Sequence, residues 1–312
     1  MQFLVFIPLL IPAVAAAAAR PLADRLKPRQ GTWLLAASAI VLAGCSTAAL
    51  ALLAAWAAAA APPLAALGDY SETVARRGDP APILTGIAAT VLLVGAAMTT
   101  AIAVRRRGRA LAESYRRASR LRPGRGRVVI VESPAIEAYA LPGWPGRIVV
   151  STGALAALDT RGRSALLAHE RAHLSGQHHM FTTVARLAAS LNPLLLPLAH
   201  AVEYTTERWA DEQAARTTGD RRLVAATIGQ IALLATSPPD TTLGISGAPP
   251  RRISLAWAGP VPRRVAALLA PPPRRHILLL AATVAILLLA GASALEAAKD
   301  LHDLLELARA AG

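Results

Sequence analysis

The chain has 312 residues, of which 54% are hydrophobic and 4% aromatic, and it carries a formal net charge of +14. This is more apolar sequence than a soluble domain needs, and it is concentrated in blocks, which argues against an ordinary soluble enzyme. The single cysteine, Cys45, lies inside one of these blocks and has no second cysteine with which to form a disulfide.

Four uncharged apolar blocks are long enough to span a membrane: residues 3–19, 33–61, 83–104 and 277–295. The second is longer than a bilayer needs, so we expect it to be tilted or to extend past the membrane. The first could instead be a signal peptide. It lacks a basic segment before its apolar run, however, which favours a retained membrane anchor.

Basic and acidic residues flank these blocks unequally. Arginine and lysine follow the first block, arginines follow the third and precede the fourth, and four acidic residues lie beyond the fourth. By the positive-inside rule, residues 105–275 are expected in the cytoplasm and both termini outside, as in a multi-pass protein of the cell membrane. The arginine run between Arg105 and Arg127 has no interleaved aromatic platform and matches no DNA-reading module, so we expect contact with lipid head groups rather than nucleic acid.

Between the third and fourth blocks the pattern predicts a small α+β domain. Short strands are predicted at 127–132, 138–141 and 147–152, and a helix from near Thr160. A second helix is predicted at about 198–217, after a break at 191–193. Residues 237–273 are rich in Pro, Gly and Arg and are expected to form a connector back to the membrane.

The first of these helices carries the pentapeptide His169-Glu170-Arg171-Ala172-His173. Residues four apart share a helix face, so both imidazoles can bind one metal ion. The glutamate between them is placed to activate a water molecule, which favours a peptide-hydrolysing zinc site over a metal-binding clip. The alternative is a surface helix with two incidental histidines.

The second helix carries three carboxylates at four-residue steps, Glu203, Glu207 and Asp211. A catalytic zinc needs three protein ligands and one open position. Glu207 is the favoured third ligand, because Asp211 one turn later can hold a zinc-bound histidine through its second nitrogen. Glu203 remains a competing ligand, and a solvated helix face paired with neighbouring arginines remains the alternative without metal.

The pentapeptide, the following Asn192-Pro193 and the Glu207-x-x-x-Asp211 pattern resemble the BlaR/MecR-type membrane metallopeptidases, without their extracellular penicillin-binding domain. Residues 147–178 are also similar to membrane gluzincins of the HtpX and CAAX-protease type. That resemblance implies that Glu170 is the catalytic base and that the strand before the helix lines the substrate cleft. The strand residues concerned are Arg147, Ile148, Val149, Val150 and Ser151.

The expected fold is therefore a membrane α-helical protein of about four transmembrane helices with an inserted α+β zincin-like metallopeptidase domain. The expected boundaries are 1–104 for three spans, 105–275 for the zinc peptidase domain, and 276–312 for the fourth span and an external tail. The expected partners are the lipid bilayer, one zinc ion and a protein substrate, with a transcriptional repressor as the regulatory candidate. A quality-control or processing protease of membrane proteins, and a non-catalytic zinc-binding membrane protein, are the alternatives.

Overall fold

The computed structural model describes residues 4–59, 82–121, 127–236, 261–272 and 276–310. The expected loop between the second and third apolar blocks and most of the expected connector at 237–273 lie outside these ranges.

Three long helices open the chain: α1 (Ile7–Arg25), α2 (Pro28–Ala59) and α3 (Pro82–Arg120). A short 3-10 turn, Leu4–Phe6, precedes α1. Helix α3 does not end with its apolar block but continues from residue 105 through the arginine cluster to residue 120. Arginine and alanine dominate this extension and are both strong helix formers, so the backbone remains helical after the apolar sequence ends.

Three short strands follow: β1 (Val128–Val131), β2 (Ala138–Leu141) and β3 (Arg147–Ser151). They form one sheet in the order β1-β3-β2, with β1 parallel and β2 antiparallel to β3. The structure confirms the three predicted strands, with β1 and β3 slightly shorter than predicted. Every residue of β3 is buried, because this strand lies at the centre of the sheet.

Four helices then build the part of the fold that holds the predicted metal ligands: α4 (Thr152–Ala156), α5 (Thr160–Ser175), α6 (His178–Leu191) and α7 (Leu196–Thr218). Helix α5 begins after Asp159, whose side chain accepts a hydrogen bond from the Gly162 amide at 2.7 Å. Helices α6 and α7 form a hairpin that turns at a 3-10 segment, Pro193–Leu195. The helices predicted from Thr160 and over 198–217 are both confirmed.

The chain ends with α8 (Arg221–Thr236), α9 (Val261–Leu269) and α10 (Ile277–Ala310). Helix α9 lies within the stretch expected to be a connector, and that expectation is wrong for these residues. Val261, Val265 and Leu268 follow a helical spacing and pack against buried residues of α5, α7 and α8. Pro262 near the start and Pro271 after the end are ordinary helix boundaries, whereas the overall proline content suggested a loop.

Within the described residues, four helices are long and apolar enough to cross a membrane: Ile7–Arg25, Pro28–Ala58, Leu84–Arg120 and Ile277–Asp300. The largest apolar cluster joins residues of α1, α2, α6, α7 and α10. The α6–α7 hairpin is thus packed into the same core as the candidate spans.

Candidate metal centre

Helices α5 and α7 bring three metal-binding side chains together. Successive turns of α5 place His169 and His173 on one face, with their Nε2 atoms 3.1 Å apart. The carboxylate of Glu207, from α7, lies 3.6 Å from His169 Nε2 through Oε2 and 3.4 Å from His173 Nε2 through Oε1. Among the described residues these three form the group of donors able to hold a metal ion, all within 4.8 Å of one another.

The spacing of the three donors fits a metal ion. Around an ion with bonds of about 2.0–2.1 Å, tetrahedral ligand atoms lie about 3.3 Å from one another. The two Nε2 atoms are 3.1 Å apart, and each lies within 3.6 Å of one oxygen of Glu207, His173 of Oε1 and His169 of Oε2, which is near this value. His169 and Glu207 are buried, and the His173 side chain is 13% exposed, so one side of the group is open to a further ligand.

The other two carboxylates of α7 have separate positions. Asp211 Oδ1 lies 3.0 Å from His169 Nδ1, the ring nitrogen that faces away from the donor group, and therefore holds this imidazole in place. Glu203 lies outside the group and pairs with Arg186 of α6 through two contacts of 2.5 and 2.6 Å. The structure thus brings Glu207, and not Glu203, to the histidines.

Arg264 of α9 is a component of the centre that the sequence analysis did not identify. Its guanidinium donates to both oxygens of Asp211, at 2.8 and 2.6 Å, and its Nη1 lies 2.9 Å from Glu207 Oε2. The side chain is fully buried. The signal that could have revealed it is the helical spacing of the apolar residues around it, since Arg264 lies between Val261 and Leu268 on a short amphipathic helix.

These charges make the centre attract cations. Burial by itself lowers the pKa of His169, but hydrogen bonds with Asp211 and Glu207 raise that pKa to about 10. Burial raises the pKa values of Glu207 and Asp211, but the Arg264 guanidinium outweighs it and holds both below their ordinary values. Both carboxylates are therefore ionised at neutral pH, and they stabilise a positive charge at His169, whether a proton or a metal ion.

Glu170 is placed beside this group rather than within it. Its carboxylate is buried and accepts a hydrogen bond from the backbone of Ala140 in β2, while its Oε1 atom has no hydrogen-bonding partner among the described residues. Burial raises the pKa of Glu170 to about 7. A carboxylate that titrates near neutral pH can both accept and return a proton.

His178, at the start of α6, supports the second histidine. Its Nδ1 lies 3.0 Å from Nδ1 of His173, and its ring packs against Trp209 with centroids 4.7 Å apart. Burial lowers the pKa of both imidazoles to about 3, so both are neutral and one must donate to the other. The sequence did not predict the contact between His178 and His173, because a contact across the α5–α6 turn follows no helical spacing.

The strand expected to line the substrate cleft does not have a free edge. β3, residues 147–151, pairs with β1 on one side and with β2 on the other. The backbone groups of Arg147, Ile148, Val149, Val150 and Ser151 are therefore committed to the sheet, contrary to the expectation that this strand aligns a substrate. The strand whose outer edge faces Glu170 is β2, through Ala140.

Comparison with known proteins agrees with this geometry. Residues 99–188 match the family model of Peptidase family M48, a family of metallopeptidases. The matched segment contains the sheet, His169, Glu170 and His173 and ends before Glu207, so the third donor rests on the structure. No curated protein and no solved structure matches the chain. The match and the donor group together support a metallopeptidase of the gluzincin type, in a chain whose described part contains four helices that could cross a membrane.

Proposed function

We propose that this protein is an integral-membrane zinc metalloendopeptidase whose active site faces the cytoplasm. The observation that carries the proposal is the triangle of His169, His173 and Glu207 with the buried carboxylate of Glu170 beside it. Zinc is proposed because two imidazoles and one carboxylate are a donor set of catalytic zinc sites, in which three protein ligands leave one position open. The cytoplasmic orientation rests on the distribution of arginines in the sequence.

The side chains of the centre have distinct roles in peptide hydrolysis. His169, His173 and Glu207 would hold the zinc, and its Lewis acidity would be available to activate a water molecule and polarise the scissile carbonyl. Glu170 accepts the proton of the attacking water and passes it to the leaving amine, for which a pKa of about 7 is well suited. Asp211 holds His169 in its orientation, and Arg264 keeps Glu207 ionised by compensating its charge.

We propose that an extended substrate pairs with the outer edge of β2, residues 138–141. This edge faces Glu170, since the backbone of Ala140 is hydrogen-bonded to its carboxylate. The opposite edge of β2 is already paired with β3. Main-chain hydrogen bonds along an open strand edge would place the scissile bond next to the metal centre irrespective of the substrate's side chains.

For the substrate we propose a regulatory protein such as a transcriptional repressor. The support for this choice is the resemblance of the pentapeptide, Asn192-Pro193 and Glu207-x-x-x-Asp211 to the BlaR/MecR-type peptidases. A second candidate is processing or quality control of membrane proteins, and a different observation favours it. Glu207 lies on the helix that packs against α1 and α2, so the metal centre is close to the candidate spans.

The proposal is tested with Glu170→Gln, which keeps the size of the side chain and removes its basic function. The purified variant should contain about one zinc per chain, as the wild type should. Proteomic comparison of newly formed protein termini in cells should show cleavages that require Glu170, and the proteins concerned distinguish a soluble regulator from membrane proteins. Glu132→Gln, a change at an exposed glutamate after β1, is the matched control and should leave the cleavage pattern unchanged.

Two results would contradict the proposal. A wild-type protein that binds no zinc would remove the metal centre, and unchanged cleavage by Glu170→Gln would remove the assigned chemistry.

A further inference from the structure

The end of the α6–α7 hairpin is an uncharged segment bracketed by one ion pair. Residues 187–202, here called the hairpin tip, contain no Asp, Glu, Lys or Arg, and His200 is their single titratable side chain. Arg186 precedes the tip and Glu203 follows it, and the two side chains are paired. His200 is exposed and lies three residues before Glu203, within one helical turn of the ion pair.

Polar contacts connect the tip to the middle of the long helices. Thr99 of α3 donates a hydrogen bond to the carbonyl of Ser190 at 2.8 Å, and the hydroxyls of Thr100 and Ser190 are 3.1 Å apart. On the other side, Asn192 Nδ2 donates to Ser46 Oγ at 3.1 Å. Ser46 lies near the middle of α2, and Thr99 lies inside the apolar block of α3.

These contacts show how far the hairpin tip extends along the axis of α3. Arg107 of α3 is close enough to interact electrostatically with both Arg186 and Glu203, which places the ion pair beside the arginine cluster. Thr99 lies six residues before Arg105, or about 9 Å further along the helix. The tip therefore extends about 10 Å past the arginine cluster, roughly a third of the thickness of a bilayer hydrocarbon core.

The backbone amides of the turn have hydrogen-bond partners within the chain, as an apolar environment requires. Pro193 and Pro197 have no amide hydrogen. The amide of Asn192 donates to the carbonyl of Ala188. The Leu194 amide donates to the Asn192 side chain, the Leu195 amide to the Asn192 carbonyl and the Leu196 amide to the Pro193 carbonyl. Every amide hydrogen from residue 192 to residue 197 thus has a partner within the chain. A non-helical turn at membrane depth needs this, since lipid offers no hydrogen-bonding groups.

The outward-facing side of the tip is apolar. Leu194, within the turn, is 49% exposed, and Leu196, directly after it, is 41% exposed. The inward-facing side packs in the core shared with α1, α2 and α10. If α2 and α3 lie in a bilayer, a segment hydrogen-bonded to their central residues lies there too, and the exposed leucines meet acyl chains.

We propose that the hairpin tip is inserted in the lipid bilayer between α2 and α3, with Leu194 and Leu196 against the acyl chains. The hairpin then enters and leaves the membrane on the same side, and its ion pair lies at the membrane surface. Glu207 is one turn beyond Glu203, so the metal centre is held about 6 Å outside that surface.

The proposal can be tested by measuring the surroundings of single nitroxide spin labels. Replacing Cys45 by Ala gives a cysteine-free chain, into which Leu194→Cys, Leu196→Cys, Val94→Cys or Thr217→Cys is introduced. Val94 is an exposed residue of the apolar part of α3, and Thr217 is exposed at the other end of α7. Each labelled protein is reconstituted in phosphatidylcholine–phosphatidylglycerol vesicles and exposed to oxygen, which partitions into lipid, or to a water-soluble nickel chelate.

The labels at residues 194 and 196 should resemble the label at 94. Oxygen should reach them more often than the nickel chelate, with a nickel accessibility at least about tenfold below that at residue 217. Nickel accessibility equal to that at residue 217 would overturn the proposal, because the tip would then be in water. Exclusion of both reagents would also overturn it, because a second copy of the chain or another protein would cover the leucines. Two positions in the tip are labelled so that, if the variant at one of them folds poorly, the label at the other still tests the proposal.

Discussion

A buried arginine is costly unless its charge and its five donor hydrogens are compensated. The charge of Arg264 is compensated by two carboxylates, Asp211 and Glu207, and its Nε and Nη2 donate hydrogen bonds to Asp211. Without Arg264, two buried carboxylates one turn apart on α7 would repel each other, and one of them would tend to take up a proton. A protonated Glu207 is a poor metal ligand. Arg264 therefore acts on the metal through the charge of Glu207 and the position of Asp211.

Arg264→Ala should consequently reduce both stability and metal binding. Removing one partner of a buried ion pair costs about 3–5 kcal/mol of unfolding free energy. Arg263→Ala is the matched control: Arg263 is the preceding residue of α9, pairs with the partly exposed Asp24 and should contribute only about 1 kcal/mol. Denaturant unfolding in detergent and zinc content measure the two effects. Equal losses in the two variants would show that Arg264 has no special relation to the metal centre.

His178 has the corresponding role for the second histidine. When His173 binds a metal through Nε2, its Nδ1 carries the hydrogen and donates it to His178 Nδ1, 3.0 Å away. Trp209 packs on the His178 ring and limits its rotation. A metal-bound histidine commonly needs such a partner to fix its ring orientation.

His178→Leu should lower zinc affinity by about ten- to a hundredfold, the usual effect of losing such a partner. His178→Asn should recover part of the loss, because its amide oxygen can accept the same hydrogen bond. His179→Leu, at the neighbouring position on α6, should bind zinc nearly as the wild type does. Competition with a zinc-binding dye measures all three affinities, and an unchanged affinity in His178→Leu would refute the assigned role.

At the scale of elements, local sequence patterns predicted which site residues share one helix, but they did not predict contacts between residues of different helices. His169, Glu170 and His173 share α5, so their common face follows from helical periodicity alone. The step from Glu207 to Asp211 on α7 is equally local. Arg264 reaches Asp211 from a helix 53 residues further along the chain, and no local pattern encodes that contact.

The sheet gives a second case of this limit. The positions of β1, β2 and β3 were predictable from their composition and the turn residues between them. Their order in the sheet was not predictable, because β1 pairs with β3, although β2 lies between these two strands in the sequence. The order decides which strand has a free edge, so the assignment of the substrate strand depended on information that the local sequence does not contain.

The three carboxylates of α7 provide a test at this scale. Glu207→Ala should remove most of the zinc, since two histidines alone form an incomplete site. Asp211→Ala should lower the affinity by about ten- to a hundredfold. Glu203→Ala should leave the affinity unchanged, because Glu203 pairs with Arg186 outside the donor group. Zinc titration of the purified variants checks the series. A loss of metal in Glu203→Ala as great as in Glu207→Ala would contradict the arrangement of α7.

At the scale of the whole molecule, the last turn of α1, next to the short loop before α2, is hydrogen-bonded and ion-paired to helices of the metal centre. Arg208 of α7 is buried and donates to the carbonyls of Ala23 and Asp24 at 2.7 and 3.2 Å. Arg263 of α9 reaches the Asp24 side chain at 2.5 Å. The first short loop and the metal centre therefore lie at the same end of the molecule. The positive-inside rule independently assigns that loop and the catalytic region to one side of the membrane.

The side itself remains a prediction, and it follows from the arginines. Reporter fusions that end the chain at Gly162, within the metallopeptidase region, should be fluorescent with green fluorescent protein and inactive with alkaline phosphatase. Fusions at Gly68 and Gly312 should give the reverse result, because both positions follow an outward crossing. Neither of these two residues is among those the structure describes, so their expected side depends on charge alone. Active phosphatase at Gly162 would place the metal centre outside the cell and overturn the proposed cytoplasmic active site, while leaving the metal centre itself intact.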